Sequence, residues 1–168
     1  IGSNIVDTTA GSISSTGAGL DVSSSARGEI RIATADVLAE ESFGISSFGD
    51  GDVTGHFIDT TAGAIRAGEN GIQAFHLGSG ALSAITADVT ALTGRGVDIR
   101  STGTGGEVVI DKRLGSVYAQ DEGVVSLSQG SGTLSIMTAD VTSSADDGVA
   151  AGHTTGGDFS IDTTAGVI

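Results

Sequence analysis

Short stretches of the chain alternate apolar and polar side chains, as in Ile30-Arg31-Ile32-Ala33-Thr34. A period of two marks a strand with one face buried. These stretches return at a constant distance. Val6, Ile32, Ile58, Ala84, Ile110, Ile136 and Ile161 are spaced 26, 26, 26, 26, 26 and 25 residues apart. Two residues further on stands Thr8, Thr34, Thr60, Thr86, Lys112, Thr138 and Thr163, and two residues earlier Asn4, Ile30, His56, Leu82, Val108, Leu134 and Phe159. A glycine column, Gly19, Gly44, Gly71, Gly96, Gly123 and Gly148, is followed each time by Leu, Ile or Val. A third apolar column, Ile13, Val37, Ile65, Val89, Val117, Val141 and Ile168, has spacings that alternate near 24 and 28, so the more faithful repeat is 52 residues.

Whole phrases obey that doubled period. Asp7-Thr8-Thr9-Ala10-Gly11 returns at Asp59 and Asp162, with a degenerate copy at Asp111-Lys112-Arg113-Leu114-Gly115. Thr34-Ala35-Asp36-Val37 returns at Thr86 and Thr138, half a period out of phase. The double-coil repeats run 6–57, 58–109 and 110–160, with a partial copy at 161–168, in one segment of a longer array. Each 26-residue unit holds three short strands separated by glycine-rich corners. No apolar run has the 3.6-residue period of a helix. One such unit cannot bury its apolar face alone, whereas stacked units can. The sequence therefore predicts an all-β parallel solenoid of about six coils, ~31 Å tall at ~4.8 Å per coil. The coil length fits a right-handed, three-sheet β-helix. The corner glycines are expected to take left-handed backbone conformations. The stacked threonines share parity with the buried aliphatics, so they point inward, where their hydroxyls are expected to bond along the axis. That parity argues against an ice-binding face, which needs its threonines outside.

Composition narrows the picture. There is no Pro, and Pro would delete a coil-to-coil hydrogen bond. There is no Cys, which excludes disulfides and thiolate metal sites. Seven basic against 21 acidic residues give a net charge of −14, so no nucleic-acid partner is expected. No apolar run is long enough for a membrane-spanning helix, and a mean hydropathy of +0.21 argues against disorder. The chain opens at Ile1 with no signal peptide, and reads as an excised or processed piece. Neither end shows a polar cap, so the expected partners are further coils of the same polypeptide or copies stacked end to end. On that reading the isolated segment aggregates or forms filaments.

The phrases Ile85-Thr86-Ala87-Asp88-Val89-Thr90, Gly71-Ile72-Gln73-Ala74 and Ile58-Asp59-Thr60-Thr61-Ala62-Gly63 resemble the passenger repeats of autotransporter adhesins of Gram-negative bacteria, within the pectate-lyase-like β-helix class. The resemblance covers essentially the whole chain. It implies a cell-surface or secreted location outside the outer membrane, a stalk-like or adhesive role, and a host-cell, glycan or matrix ligand. Two other readings compete: a non-catalytic part of a polysaccharide-degrading β-helix enzyme, and a self-assembling extracellular filament subunit.

Candidate chemistry is sparse. The coils lack insertions long enough to wall a pocket, and catalytic sites need concavity. The sequence accordingly reads as non-enzymatic, with no catalytic residues and no cofactor. His56 belongs to an inward column, while His76 and His153 share a column three coils apart and read as surface polar residues. Acids gather before the glycine column, and Asp121, Glu122, Asp146 and Asp147 are candidate ligands for Ca2+, which takes six to eight oxygens. Against that, stacked acids also make a solvated edge, and the calcium β-roll nonapeptide is missing. On the outward face of the first sheet, Phe57, Ile85, Val109 and Met137, with Ile5, form an apolar wall that is a candidate interface, against the plainer reading that β-branched residues simply favour strands.

Overall fold

The computed structural model describes residues 3–168. Among the described residues, nineteen strands and no helix make up three parallel sheets. The first sheet holds β1 (Asn4–Thr8), β4 (Gly28–Thr34), β7 (Val53–Thr60), β10 (Ala81–Thr86), β13 (Val108–Lys112), β16 (Leu134–Thr138) and β19 (Phe159–Asp162). The second holds β2 (Ile13–Ser15), β5 (Val37–Ala39), β8 (Ile65–Ala67), β11 (Val89–Ala91), β14 (Val117–Ala119) and β17 (Val141–Ser143). The third holds β3 (Leu20–Ser24), β6 (Ile45–Gly49), β9 (Ile72–His76), β12 (Val97–Ser101), β15 (Val124–Ser128) and β18 (Val149–His153). In sequence order the strands visit the three sheets in turn, which makes a β-solenoid of about six coils.

The registers reproduce the sequence columns. Val6 pairs with Ile32, Ile32 with Ile58, Ile58 with Ala84, and the ladder runs on through Ile110 and Ile136 to Ile161. Leu20, Ile45, Ile72, Val97, Val124 and Val149 stack in the third sheet, and Ile13 through Val141 stack in the second. Equal side chains thus fall on one another, and a single narrow core runs the length of the stack. One irregularity breaks the ladder. Gly28 pairs with Val53 but Glu29 with Gly55, a bulge taken up by Gly28 at φ 146°. A bulge of this kind uses glycine's freedom at positive φ.

The structure corrects the reason for the corner glycines. Among the described residues only Gly28 and Gly156 have positive φ, and neither belongs to the Gly19–Gly148 column. A Cβ on Gly71 would instead run into Val89 Cγ1 and lie 2.5 Å from the Gly96 carbonyl oxygen. Gly19, Gly44, Gly96 and Gly123 repeat that contact with the aliphatic of their own next coil. Glycine is needed there because the next coil packs directly on its backbone. The threonine column also differs in part from expectation. Thr34, Thr60, Thr86 and Thr138 are buried, as parity requires, but their hydroxyls find no hydrogen-bond partner. Axial spacing near 4.8 Å is too long for direct hydroxyl contact between identical rotamers.

Candidate functional site

The described residues offer four places where chemistry could gather, and the sequence had marked only some of them. The first is the wall of the first sheet. Ile5, Arg31, Phe57, Ser83, Val109, Ser135 and Ser160 form one outward column, and Asp7, Ala33, Asp59, Ile85, Asp111, Met137 and Asp162 form the next. Ile85 is exposed, and Phe57, Val109 and Met137 are half-buried. They alternate between the two columns from coil to coil, with Asp59 and Asp111 beside Phe57 and Val109 and Ser83 and Ser135 beside Ile85 and Met137. The Arg31 guanidinium lies 4.7 Å from the centre of the Phe57 ring and also pairs with Glu29 at 2.9 Å. The wall is therefore a mixed apolar and charged surface, not a greasy strip.

The second place is the acidic corner. Glu122 does not turn toward Asp121, Asp146 and Asp147. It accepts from Arg95 at 2.9 and 3.1 Å, and this pairing holds its carboxyl below the usual range. The Asp146 carboxylate accepts the Asp147 amide at 2.9 Å. Among the described residues no three His, Asp or Glu side chains come together as a metal-ligand set. The four acids proposed for Ca2+ are not brought together, because one of them is drawn into an ion pair. Asp146 and Asp147 instead line an open depression of about 480 Å3 beside Val141 and Ile168.

Arg95 leads to the third place, which sequence reading missed. Asp98 points outward from β12, yet is only 2% exposed. Arg95 reaches its Oδ2 at 2.9 Å, and Arg100 reaches both its oxygens at 2.7 and 2.9 Å. Two arginines thus roof one carboxylate, and Arg100 also lies 5.7 Å from the centre of the Phe75 ring. The signal was present as Arg95-x-x-Asp98-x-Arg100, since residues two apart on a strand share a face. The cluster is saturated: Asp98 accepts three bonds and Arg95 is divided between Asp98 and Glu122. Such an arrangement fixes side chains on neighbouring coils and leaves no free acid or base.

The fourth place is inside. His56 is buried as its column required, but His76 is buried too, against the surface position expected for it. It follows Ile72 and Ala74 at the inward parity of β9. The two rings come from different sheets, which no single column reveals, and their centres lie 5.9 Å apart. Gly49 and Ser47 on β6 leave the room for them: a Cβ on Gly49 would approach Nδ1 of His76 to 3.1 Å and of His56 to 3.4 Å. His56 Nε2 bonds the Ser47 hydroxyl, while His56 Nδ1 has no partner among the described residues. Burial, reinforced by the neighbouring His76, pushes His56 down to about 3, and burial lowers His76 as well. Both rings are neutral at neutral pH and shut away from solvent.

Lys112 is a further buried titratable group. It replaces threonine in the inward column, is fully buried, and reaches the Ser116 carbonyl at 3.4 Å. Burial pushes its amine down to about 8, opposed by Asp88. Neither buried site opens to a substrate. The described residues hold no helix long and apolar enough to cross a membrane. Comparisons with protein-family models, with characterised proteins and with solved structures find no match.

Proposed function

We propose that this segment is a structural and adhesive module of a bacterial cell-surface or secreted β-helical protein, a stalk or fibre that carries contacts along its length. The observation that supports this most directly is monotony: among the described residues, three strands per coil stack from β1 to β19 with a single bulge, and no loop is enlarged into a chamber. A coil repeated at constant pitch sets length and stiffness. Its outward faces offer side chains at regular ~4.8 Å intervals along the axis, which suits extended contact with a cell surface, a glycan or a matrix fibre. The checkerboard of Phe57, Ile85, Val109 and Met137 is the face we assign to that contact. The resemblance to autotransporter passenger repeats points the same way, toward a location outside the outer membrane. The experiment is protease shaving of intact cells of the source organism, followed by peptide identification. Release of peptides from this segment before lysis is the expected result. Release only after lysis would overturn the surface reading.

A further inference from the structure

Three places in the chain put a glycine directly after Asn or Asp: Asp50-Gly51, Asn70-Gly71 and Asp147-Gly148. At such pairs the glycine nitrogen can close on the side-chain Cγ, because no Cβ crowds the attacking atom. By chemistry alone Asn70 reacts first, since a carboxamide loses ammonia more readily at neutral pH than a carboxyl loses water. The structure reverses that order. The Gly71 N–H donates to the Arg95 carbonyl at 2.9 Å, in the coil-to-coil ladder. The Asn70 carboxamide is held at both ends, its oxygen accepting the Arg95 amide at 2.8 Å and its nitrogen donating to Gln73 Oε1 at 3.0 Å. The next coil packs on it, so that a Cβ on Gly94 would fall 2.3 Å from that oxygen. Ring closure at Asn70 must break these bonds and open the stack. The third pair is packed as well, with a Cβ on Gly148 falling 2.3 Å from Ile168 Cγ2.

Asp50 is the opposite case. It stands with Gly51 and Asp52 in the exposed turn between β6 and β7. Its backbone is fixed, the amide donating to the Ser24 carbonyl at 2.8 Å and the carbonyl accepting the Val53 amide at 2.9 Å. Its side chain folds back on the following peptide, and Oδ1 accepts the Gly51 N–H at 2.7 Å. The carboxyl group is thus already turned toward the nitrogen that closes the ring, an orientation supplied by the fold. Nothing lies within 4 Å of the place a Gly51 Cβ would take, so the turn has room for a cyclic product. We propose that Asp50 is a self-modification site at which the folded chain forms an isoaspartyl linkage. The Gly51 nitrogen bonds to Cγ of the protonated carboxyl, and the hydroxyl leaves with the amide proton as water. Water then adds to either carbonyl of the resulting imide. Cleavage of the N–Cγ bond restores Asp50. Cleavage of the bond from the main-chain carbonyl carbon to the Gly51 nitrogen leaves the chain running through Cγ, one methylene longer. One water is lost and one regained, so the mass does not change. The added length falls beside the bulge at Gly28 and Val53, where the ladder is already irregular.

The test keeps the full chain folded at pH 7.5 in warm buffer for several weeks, beside the same chain in guanidinium chloride. Isoaspartate is counted by methyl transfer from S-adenosylmethionine with an isoaspartyl methyltransferase, and located by fragmentation across the new main-chain methylene. Loss of the Asn70 amide is read by mass. In the folded chain isoaspartate should appear first at Asp50 while Asn70 keeps its amide, and in denaturant the order should reverse. Gly51→Ala, whose methyl has open space but crowds the attacking nitrogen, should slow the folded reaction about tenfold. Asp50→Asn, which keeps the acceptor oxygen, should lose its amide at least about tenfold faster than Asn70 within the same folded molecule. Asp50 trailing Asn70 or Asp147 in the folded chain overturns the proposal. So does a Gly51→Ala chain that reacts at the parent's rate, or an Asp50→Asn chain that deamidates equally at the two positions.

Discussion

Acid should loosen this solenoid from within, through His56. The ring is 0% exposed, and burial holds it down to about 3 in the folded chain, against 6.5 when free. A group with a depressed folded value binds its proton mainly in the unfolded state. For an imidazole the stabilisation is therefore full above 6.5 and is lost as pH falls from 6.5 toward 3. Each pH unit in that window costs ~1.4 kcal/mol per proton, so pH 5 costs about 2 kcal/mol through His56 alone. His76 shifts in the same direction and adds to the loss. The carboxylates whose values are lowered, such as Asp88 and Glu122, lose their contribution only near and below the ordinary carboxylate range, so pH 5 to 7.5 isolates the histidines. The perturbation is His56→Leu, which restores the aliphatic column of Ile30 and Leu82. It strands the Ser47 hydroxyl, a cost that is equal at every pH. The assay is the urea midpoint by far-UV circular dichroism at pH 7.5 and pH 5.0. The parent should lose about 2 kcal/mol more than the variant across that interval. Parallel losses in parent and variant would refute the buried, neutral imidazole.

Three further outcomes can be read by the same denaturation. Lys112→Met should stabilise the chain at pH 7.5, by about 3 kcal/mol if the amine is held near 8 instead of 10.5, because folding must then neutralise or bury the charge; the parent alone should gain stability between pH 7.5 and 9.5, and equal pH responses would show that Lys112 is solvated. Gly71→Ala should cost ~1–3 kcal/mol, since the added Cβ itself meets Val89 and the Gly96 carbonyl, whereas Gly51→Ala, with open space at its Cβ, should change little; equal midpoints for the two would mean that coil-to-coil contact does not require Gly71. Ile110→Asp places an uncompensated charge in a fully buried column and should abolish the cooperative β transition of the coils on either side, so an unaltered spectrum and midpoint would contradict the column assignment.

The columns were legible because a solenoid converts sequence period directly into spatial register. Val6 to Ile161 could be stacked on paper, and the strand pairings repeat that ladder residue by residue. What lay across the core was not legible. His56 and His76 meet from two sheets, and no spacing along the chain encodes the distance between sheets. The Arg95–Asp98–Arg100 roof depends on side chains folding back along one strand and across one corner, choices that rotamers make after the backbone is fixed. Glycine misled in a different way. Its frequency at corners suggested unusual φ, but five of the six column glycines sit against the backbone of the next coil, a cause that only the stacked structure exposes.

The period of 52 also eases a problem that a strict 26-residue repeat would create. Parallel stacking places identical residues over one another at ~4.8 Å, so a conserved aspartate in every coil would make a ladder of like charges. Two unit charges at that distance repel by about 0.9 kcal/mol in water, and at twice the distance by about 0.4 kcal/mol before salt screening. In the outward column of the first sheet Asp7, Asp59, Asp111 and Asp162 alternate with Ala33, Ile85 and Met137, which doubles the spacing. Asp36, Asp88 and Asp140 occupy the intervening coils at a different place, each bonded to a backbone amide of the following coil. A chain with a net charge of −14 can thus stack its coils without stacking these carboxylates, and the same alternation that spaces the charges supplies the corner contacts that hold one coil to the next.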